Sequence, residues 1–159
     1  MKAFRRSRHQ FVAVFSADEA GTLSLLASQL SDLLENRSSY DSDPALLRLL
    51  PDAYPDDAEA SAEFRRFTAD DLAVRKSANA RRIVADLAPA IGVTSATVVK
   101  VDAQAAQAWV RSLTDIRLTI AARLGIETDD DVESGDAVVR DLYDWLGFVQ
   151  GSLVECLDR

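Results

Sequence analysis

The chain has 159 residues, 48% hydrophobic and 28% charged, with 26 acidic residues against 18 basic ones and a formal net charge of -8. That length and apolar share can bury roughly two thirds of the unfolded surface in a core needing neither disulfide nor metal, which excludes global disorder. The acid excess speaks against a nonspecific nucleic-acid binder, whose affinity comes from neutralising phosphates, so direct nucleic-acid binding is not expected.

The first ten residues carry Lys2, Arg5, Arg6 and Arg8 and no acid, and they read as a basic, mobile start. FVAVF, residues 11 to 15, is too short for the apolar region of a signal peptide, and no apolar run nears the ~20 residues that span a bilayer. A cytoplasmic protein without membrane contact is therefore expected. FVAVF itself reads as a short buried strand, aromatic and β-branched. Ser16 then opens a helix, with Glu19 three residues on as in a capping box. Leu23, Leu26, Leu30, Leu33 and Leu34 give that helix one apolar face. ENRSSYDSD is a polar loop, and Asp43-Pro44 is a helix start, cap then first-turn proline, leading through ALLRLL to Pro51. PDAYPDD is a turn. A helix is predicted from about Asp57 to Phe67, and another capped at Thr68, with Leu72, Ile83, Val84 and Leu87 as core positions.

Pro89 and Gly92 end that helix, and VTSATVVKV, residues 93 to 101, is the second strand. Asp102 caps a long helix through Trp109, Leu113, Ile116, Ile120 and Leu124, stopped by Gly125. After the acidic loop ETDDDVESGD comes a last helix, from about Ala137 to Leu157, with Val138, Leu142, Trp145, Val149, Leu153 and Cys156 on its apolar side. Tyr143, Leu146 and Leu157 widen that stripe. It suits a central helix or packing on a second copy, so a homodimer is a further expectation. Sliding the first strand-cap-helix unit by 86 residues sets Ser16 on Asp102, Leu23 on Trp109 and Leu30 on Ile116. The two strands are expected to pair, because a lone strand leaves its backbone groups unsatisfied. The predicted fold is a mainly α, single-domain helical bundle with a small two-stranded β element.

The chemistry-bearing residues are few. There is one histidine, His9, and one cysteine, Cys156, so a Cys/His zinc site is excluded and a triad would rest on His9 in the basic start. No glycine-rich phosphate loop occurs, and no cofactor is implied. From Asp129, the acidic loop places Ser134 and Arg140 where a calcium loop needs glycine and glutamate, so it reads as a solvated loop. Residues 41 to 63 are acidic, and a basic stretch follows. Within it Arg75, Asn79 and Arg82 share one helix face, flanked by Lys76 and Arg81. This face could meet an acidic partner, or answer the acidic segment before it within the fold. Cys156 is expected to be a buried, inert thiol.

Three stretches carry a resemblance: LLPDAYPDDAEASAEFRRFTADDLAVRK at 49 to 76, WVRSLTDIRLTIAARLGI at 109 to 126, and YDWLGFVQGSLVECLD at 143 to 158. In this order and spacing the chain resembles the actinobacterial AosR-like family (domain of unknown function twenty-seventeen) over nearly its whole length. The resemblance implies transcriptional control of oxidative-stress responses through a stress sigma factor, with redox-sensing cysteines, and a gene neighbourhood that includes the Clp protease adaptor. This chain departs from the redox pattern, because an intramolecular disulfide needs two cysteines and only Cys156 is present. An intermolecular disulfide through Cys156 is the remaining redox option. The expected function is non-enzymatic: a regulatory domain binding a protein partner, sigma factor or RNA polymerase, through Arg75, Lys76, Arg81 and Arg82 or through the N-terminal arginines. The alternatives are an accessory of Clp-dependent proteolysis, or an enzyme with a carboxylate site.

Overall fold

The computed structural model describes residues 1–39, 43–51, 56–64, 68–128, 131 and 136–159. Among these the chain forms three strands, β1 (Lys2–Ser7), β2 (Gln10–Phe15) and β3 (Thr97–Val101), and six α-helices: α1 (Ala17–Glu35), α2 (Pro44–Leu49), α3 (Ala58–Phe64), α4 (Asp70–Leu87), α5 (Ala103–Leu124) and α6 (Ala137–Leu157). The mainly helical expectation holds, but the sheet has a third strand. It is antiparallel throughout, in the order β1-β2-β3.

The extra strand lies in the stretch read as a mobile start. A two-residue turn, Arg8 and His9, folds β1 back on β2, and Arg8 takes a left-handed φ of 56°. Period-two alternation is broken in β1 because the register shifts between Lys2 and Arg5. That bulge turns Phe4 inward, where it is buried while its strand neighbours are exposed. A strand with one buried apolar residue gives little periodic signal. β2 and β3 pair as expected, from Phe11 opposite Val101 to Phe15 opposite Thr97.

Local signals set most helix starts. Ser16 and Glu19 form the reciprocal capping box of α1, the Asp43 side chain accepts from the Ala45 amide, and Asp102 accepts from the Ala105 amide. Gly125 closes α5 at φ 67°, a left-handed conformation that side chains resist. The α4 start differs from expectation: its N-cap is Ala69, already helical and without a side-chain cap bond, rather than Thr68. Residues 65–67, which fall in the predicted third helix and its junction with α4, lie outside the described residues, as do the loop positions 40–42, 52–55, 129–130 and 132–135.

The sheet's inner face supplies Phe4, Phe11, Ala13, Phe15, Val99 and Val101 to one hydrophobic cluster, into which α1, α4, α5 and α6 pack. At its centre Phe4 meets Trp109 edge-on, ring centroids 5.6 Å apart, and Phe15 lies 6.1 Å from both. The indole of Trp109 is fully buried and donates to Asp86 at 2.9 Å, so its polar end is satisfied from α4. The two strand-cap-helix units, β2–α1 and β3–α5, bury Leu23 and Trp109 at the positions that the 86-residue slide superposes. On α6 the expected stripe is buried at Leu146, Val149, Leu153 and Cys156 and half-buried at Leu142 and Trp145, whereas Val138 is exposed. Among the described residues no helix is long and apolar enough to cross a membrane.

Candidate functional site

The basic face predicted on α4 is divided by the packing of that helix. α4 lies between α1 and α5. Arg81 turns to the α1 side, where it meets Glu35 at 2.6 Å. Glu35 also accepts from Ser31 and Ser77, two buried hydroxyls at the α1–α4 contact. The Ser77 hydrogen bond, opposed by burial and helped by Ser31 and Arg81, holds the Glu35 carboxyl below its ordinary value. Arg82 points along the other side. Its Nε meets both oxygens of Asp86 at 3.0 and 3.1 Å, and its far nitrogen approaches Asp102.

Lys76 and Arg75 face α5. The Lys76 ammonium donates to Asp115 at 2.5 Å, and Asp115 is only 3% exposed. Burial raises the Asp115 carboxyl above its ordinary range although Lys76 acts to lower it. Removing a carboxylate from water is costly, and Lys76 offsets that cost directly. Around this pair lies a groove of ≈ 490 Å³, lined by Leu72, Arg75, Lys76 and Asn79 from α4 and by Arg111, Thr114 and Asp115 from α5. Arg75 and Arg111 are exposed, and among the described residues neither has an ion pair. Gln150 of α6 braces the α5 wall by donating to Thr114 Oγ1 at 2.6 Å and to the Val110 carbonyl at 3.1 Å.

Of the four basic residues expected to bind a partner, the groove thus holds Arg75 and Lys76, while Arg81 and Arg82 are tied to carboxylates elsewhere. Those carboxylates are Glu35, Asp86 and Asp102, not the acidic segment that precedes α4. Sequence reasoning missed Arg111 and Asp115. One signal was present: Asp115 interrupts the apolar face of α5 between Leu113 and Ile116, and a charge at a core-facing position calls for a buried partner.

Cys156 is buried, its thiol 3.3 Å from the Phe4 carbonyl, so an intermolecular disulfide would require α6 to leave β1. His9 lies in the hairpin turn. Among the described residues no three His, Cys, Asp or Glu side chains gather as metal ligands would. A second cleft, ≈ 440 Å³, holds two carboxylates, Glu35 and Asp70, beside Arg37, Leu46, Leu47 and Leu50. Both acids are engaged by arginines, Arg81 and Arg37, and the depressed Glu35 carboxyl is suited to remaining ionised rather than to donating a proton.

The chain belongs to the family described as Domain of unknown function (DUF2017), whose model matches residues 1–157. No curated protein and no solved structure matches it.

Proposed function

We propose that this member of the DUF2017 family is a non-enzymatic regulatory domain whose α4–α5 groove takes an acidic segment of a partner protein. The observation that carries the reading is the placement of Arg75 and Arg111. Two helices set these cations on one groove, and neither is neutralised by the described residues of a chain whose net charge is -8. Like charges facing one cleft repel each other, and an incoming carboxylate removes that repulsion. Lys76 contributes differently: it lines the groove while paired with Asp115, which keeps the local charge balanced. On this reading the partner is a stress sigma factor or RNA polymerase, the class that the sequence resemblance to the AosR-like family implies, and dithiol sensing is left out because the chain has one cysteine. The carboxylate-site enzyme reading would rest on Glu35 and Asp70, and their arginine partners weigh against it.

The test is capture of partners from lysate of the organism that encodes the chain, with wild type and an Arg75→Glu/Arg111→Glu variant as bait and mass spectrometry as readout. Both arginines are exposed, so the variant keeps its helical circular dichroism. A sigma factor or polymerase subunit held by wild type, released by moderate salt and lost with the variant supports the reading. Recovery of Clp components in that pattern moves the assignment to the proteolysis reading. A partner held equally by both baits removes the groove from the account.

A further inference from the structure

The sheet has two edges, and the fold treats them differently. Along β1, α6 covers the edge: Ser152 Oγ accepts from the Phe4 amide at 3.3 Å, and the Cys156 thiol donates to the Phe4 carbonyl at 3.3 Å. Along β3, the only strand partner is β2, and among the described residues no other group bonds the backbone of Thr97–Val101. Every second N–H and C=O of an edge strand is left without a strand partner, and although the turn at Ala88–Ala90 packs close to β3 it forms no backbone bond with it, so this edge is a template for one more strand. Val98, 52% exposed, and Lys100 stand on the outer face of this edge strand.

The register shows what surrounds them. Lys100 lies opposite Val12, which lies opposite Arg5, and Val98 lies opposite Val14, which lies opposite Lys2. The outer face thus carries three valines, of which Val12 is only 8% exposed, three cations, and Ser7 opposite Gln10, with no carboxylate, and among the described residues none of the three cations has an ion pair. Its aromatic residues, Phe4, Phe11 and Phe15, all face the core, so it offers no stacking platform for bases.

We propose that the β3 edge receives an extended acidic segment of a partner protein as a fourth strand. Main-chain bonds to β3 supply affinity, and alternate side chains supply selectivity, an aliphatic one beside Val98 and a carboxylate beside Lys100. Arg5 and Lys2 on β1 are three strand spacings, about 14 Å, from the added strand and beyond one screening length, so Lys100 carries the charge preference. A second copy of the chain is the poorer occupant. Two-fold pairing of β3 strands brings Lys100 of both copies onto neighbouring positions, between molecules each carrying a net charge of -8. This surface is separate from the α4–α5 groove and stands without it.

The experiment uses the full chain and a capped octapeptide, Val-Thr-Glu-Thr-Val-Thr-Glu-Thr, which alternates valine and glutamate along one face as Val98 and Lys100 require, with amide hydrogen exchange read residue by residue. The expected result is slowing of the outward-facing β3 amides by about tenfold or more at ~1 mM peptide, with exchange in the groove unchanged. Lys100→Glu should weaken peptide binding by about tenfold, while Arg75→Glu/Arg111→Glu leaves it intact. The same peptide N-methylated on alternate backbone nitrogens, or with lysine for glutamate, should not bind. Absence of β3 protection overturns the proposal, as does equal binding of the N-methylated peptide. Protection without peptide that grows with protein concentration also overturns it, in favour of a second copy.

Discussion

The thiol of Cys156 donates a hydrogen bond to the main-chain carbonyl of Phe4, 3.3 Å away, joining the last helix to the first strand across 152 positions of sequence. The bulge in β1 withdraws Phe4 from regular pairing, and α6 satisfies both of its backbone groups with two side chains one helical turn apart, Ser152 and Cys156. The lone cysteine thus has a structural task that needs no second thiol.

Cys156→Ala and Ser152→Ala should each lower unfolding free energy by about 1 kcal/mol, because each leaves a buried backbone group of Phe4 without its partner. Urea denaturation measures both. In native buffer the thiol should react with a disulfide reagent only as fast as the protein opens. Labelling at the rate of a free cysteine would refute the sealed contact.

Lys76→Met should cost about 3 kcal/mol, the low end for a broken buried ion pair, since Lys76 keeps 21% side-chain exposure while Asp115 keeps 4%. The double variant Lys76→Met/Asp115→Leu should regain most of that loss by removing the stranded carboxyl as well. A single-variant loss no larger than the roughly 0.5 kcal/mol typical of surface changes would show that the pair is dispensable.

Stability should depend on pH through groups of opposite sign. Glu35 lies below its ordinary value of 4.5, chiefly through Ser77, so its contribution is present above that value and is lost as pH falls through the lower folded one. Asp43 behaves alike: burial raises it, but the Arg123 hydrogen bond, the Ala45 amide and the Arg123 charge outweigh burial. Asp115 is raised by burial, so its contribution is present in acid and is lost as pH climbs through its folded value. In urea titrations from neutral pH downward, Glu35→Gln should flatten the fall in stability below about 4.5. A slope identical to wild type would contradict the Ser77–Glu35–Arg81 arrangement.

Arg8 and Gly125 make a matched pair of backbone tests. Arg8 holds φ 56° at the first central position of the β1–β2 turn, and Gly125 holds φ 67° at the end of α5. Arg8→Gly should stabilise by about 0.5–1 kcal/mol, whereas Gly125→Ala should destabilise by about 1–2 kcal/mol. Nothing lies within 4 Å of a Cβ added at Gly125, so the loss there reports backbone conformation alone. Thermal melts of both variants decide it, and a stabilising Gly125→Ala would overturn the reading.

Much of the chain was legible from neighbours in sequence. The Ser16–Glu19 box, Asp43-Pro44, Asp102 and Gly125 each act on backbone groups a few residues away, so residue type and spacing are enough to recognise them. The apolar faces of α1 and α5 follow from helical periodicity, which is likewise local. Pairing of β2 with β3 followed from a general need, since a buried strand must satisfy its backbone.

What only the tertiary structure decided is how the faces meet. β1 stayed hidden because its bulge cancels the period of two and its one buried side chain, Phe4, finds Trp109 and Phe15 from distant elements. The basic run on α4 looked like one surface because the four cations are close in sequence. The phase of α4 between its neighbours sends Arg81 to Glu35 and Arg82 to Asp86, and leaves Arg75 and Lys76 on the groove with Arg111 and Asp115. Charges pair through space, over a few ångströms, and sequence separation carries no record of that distance.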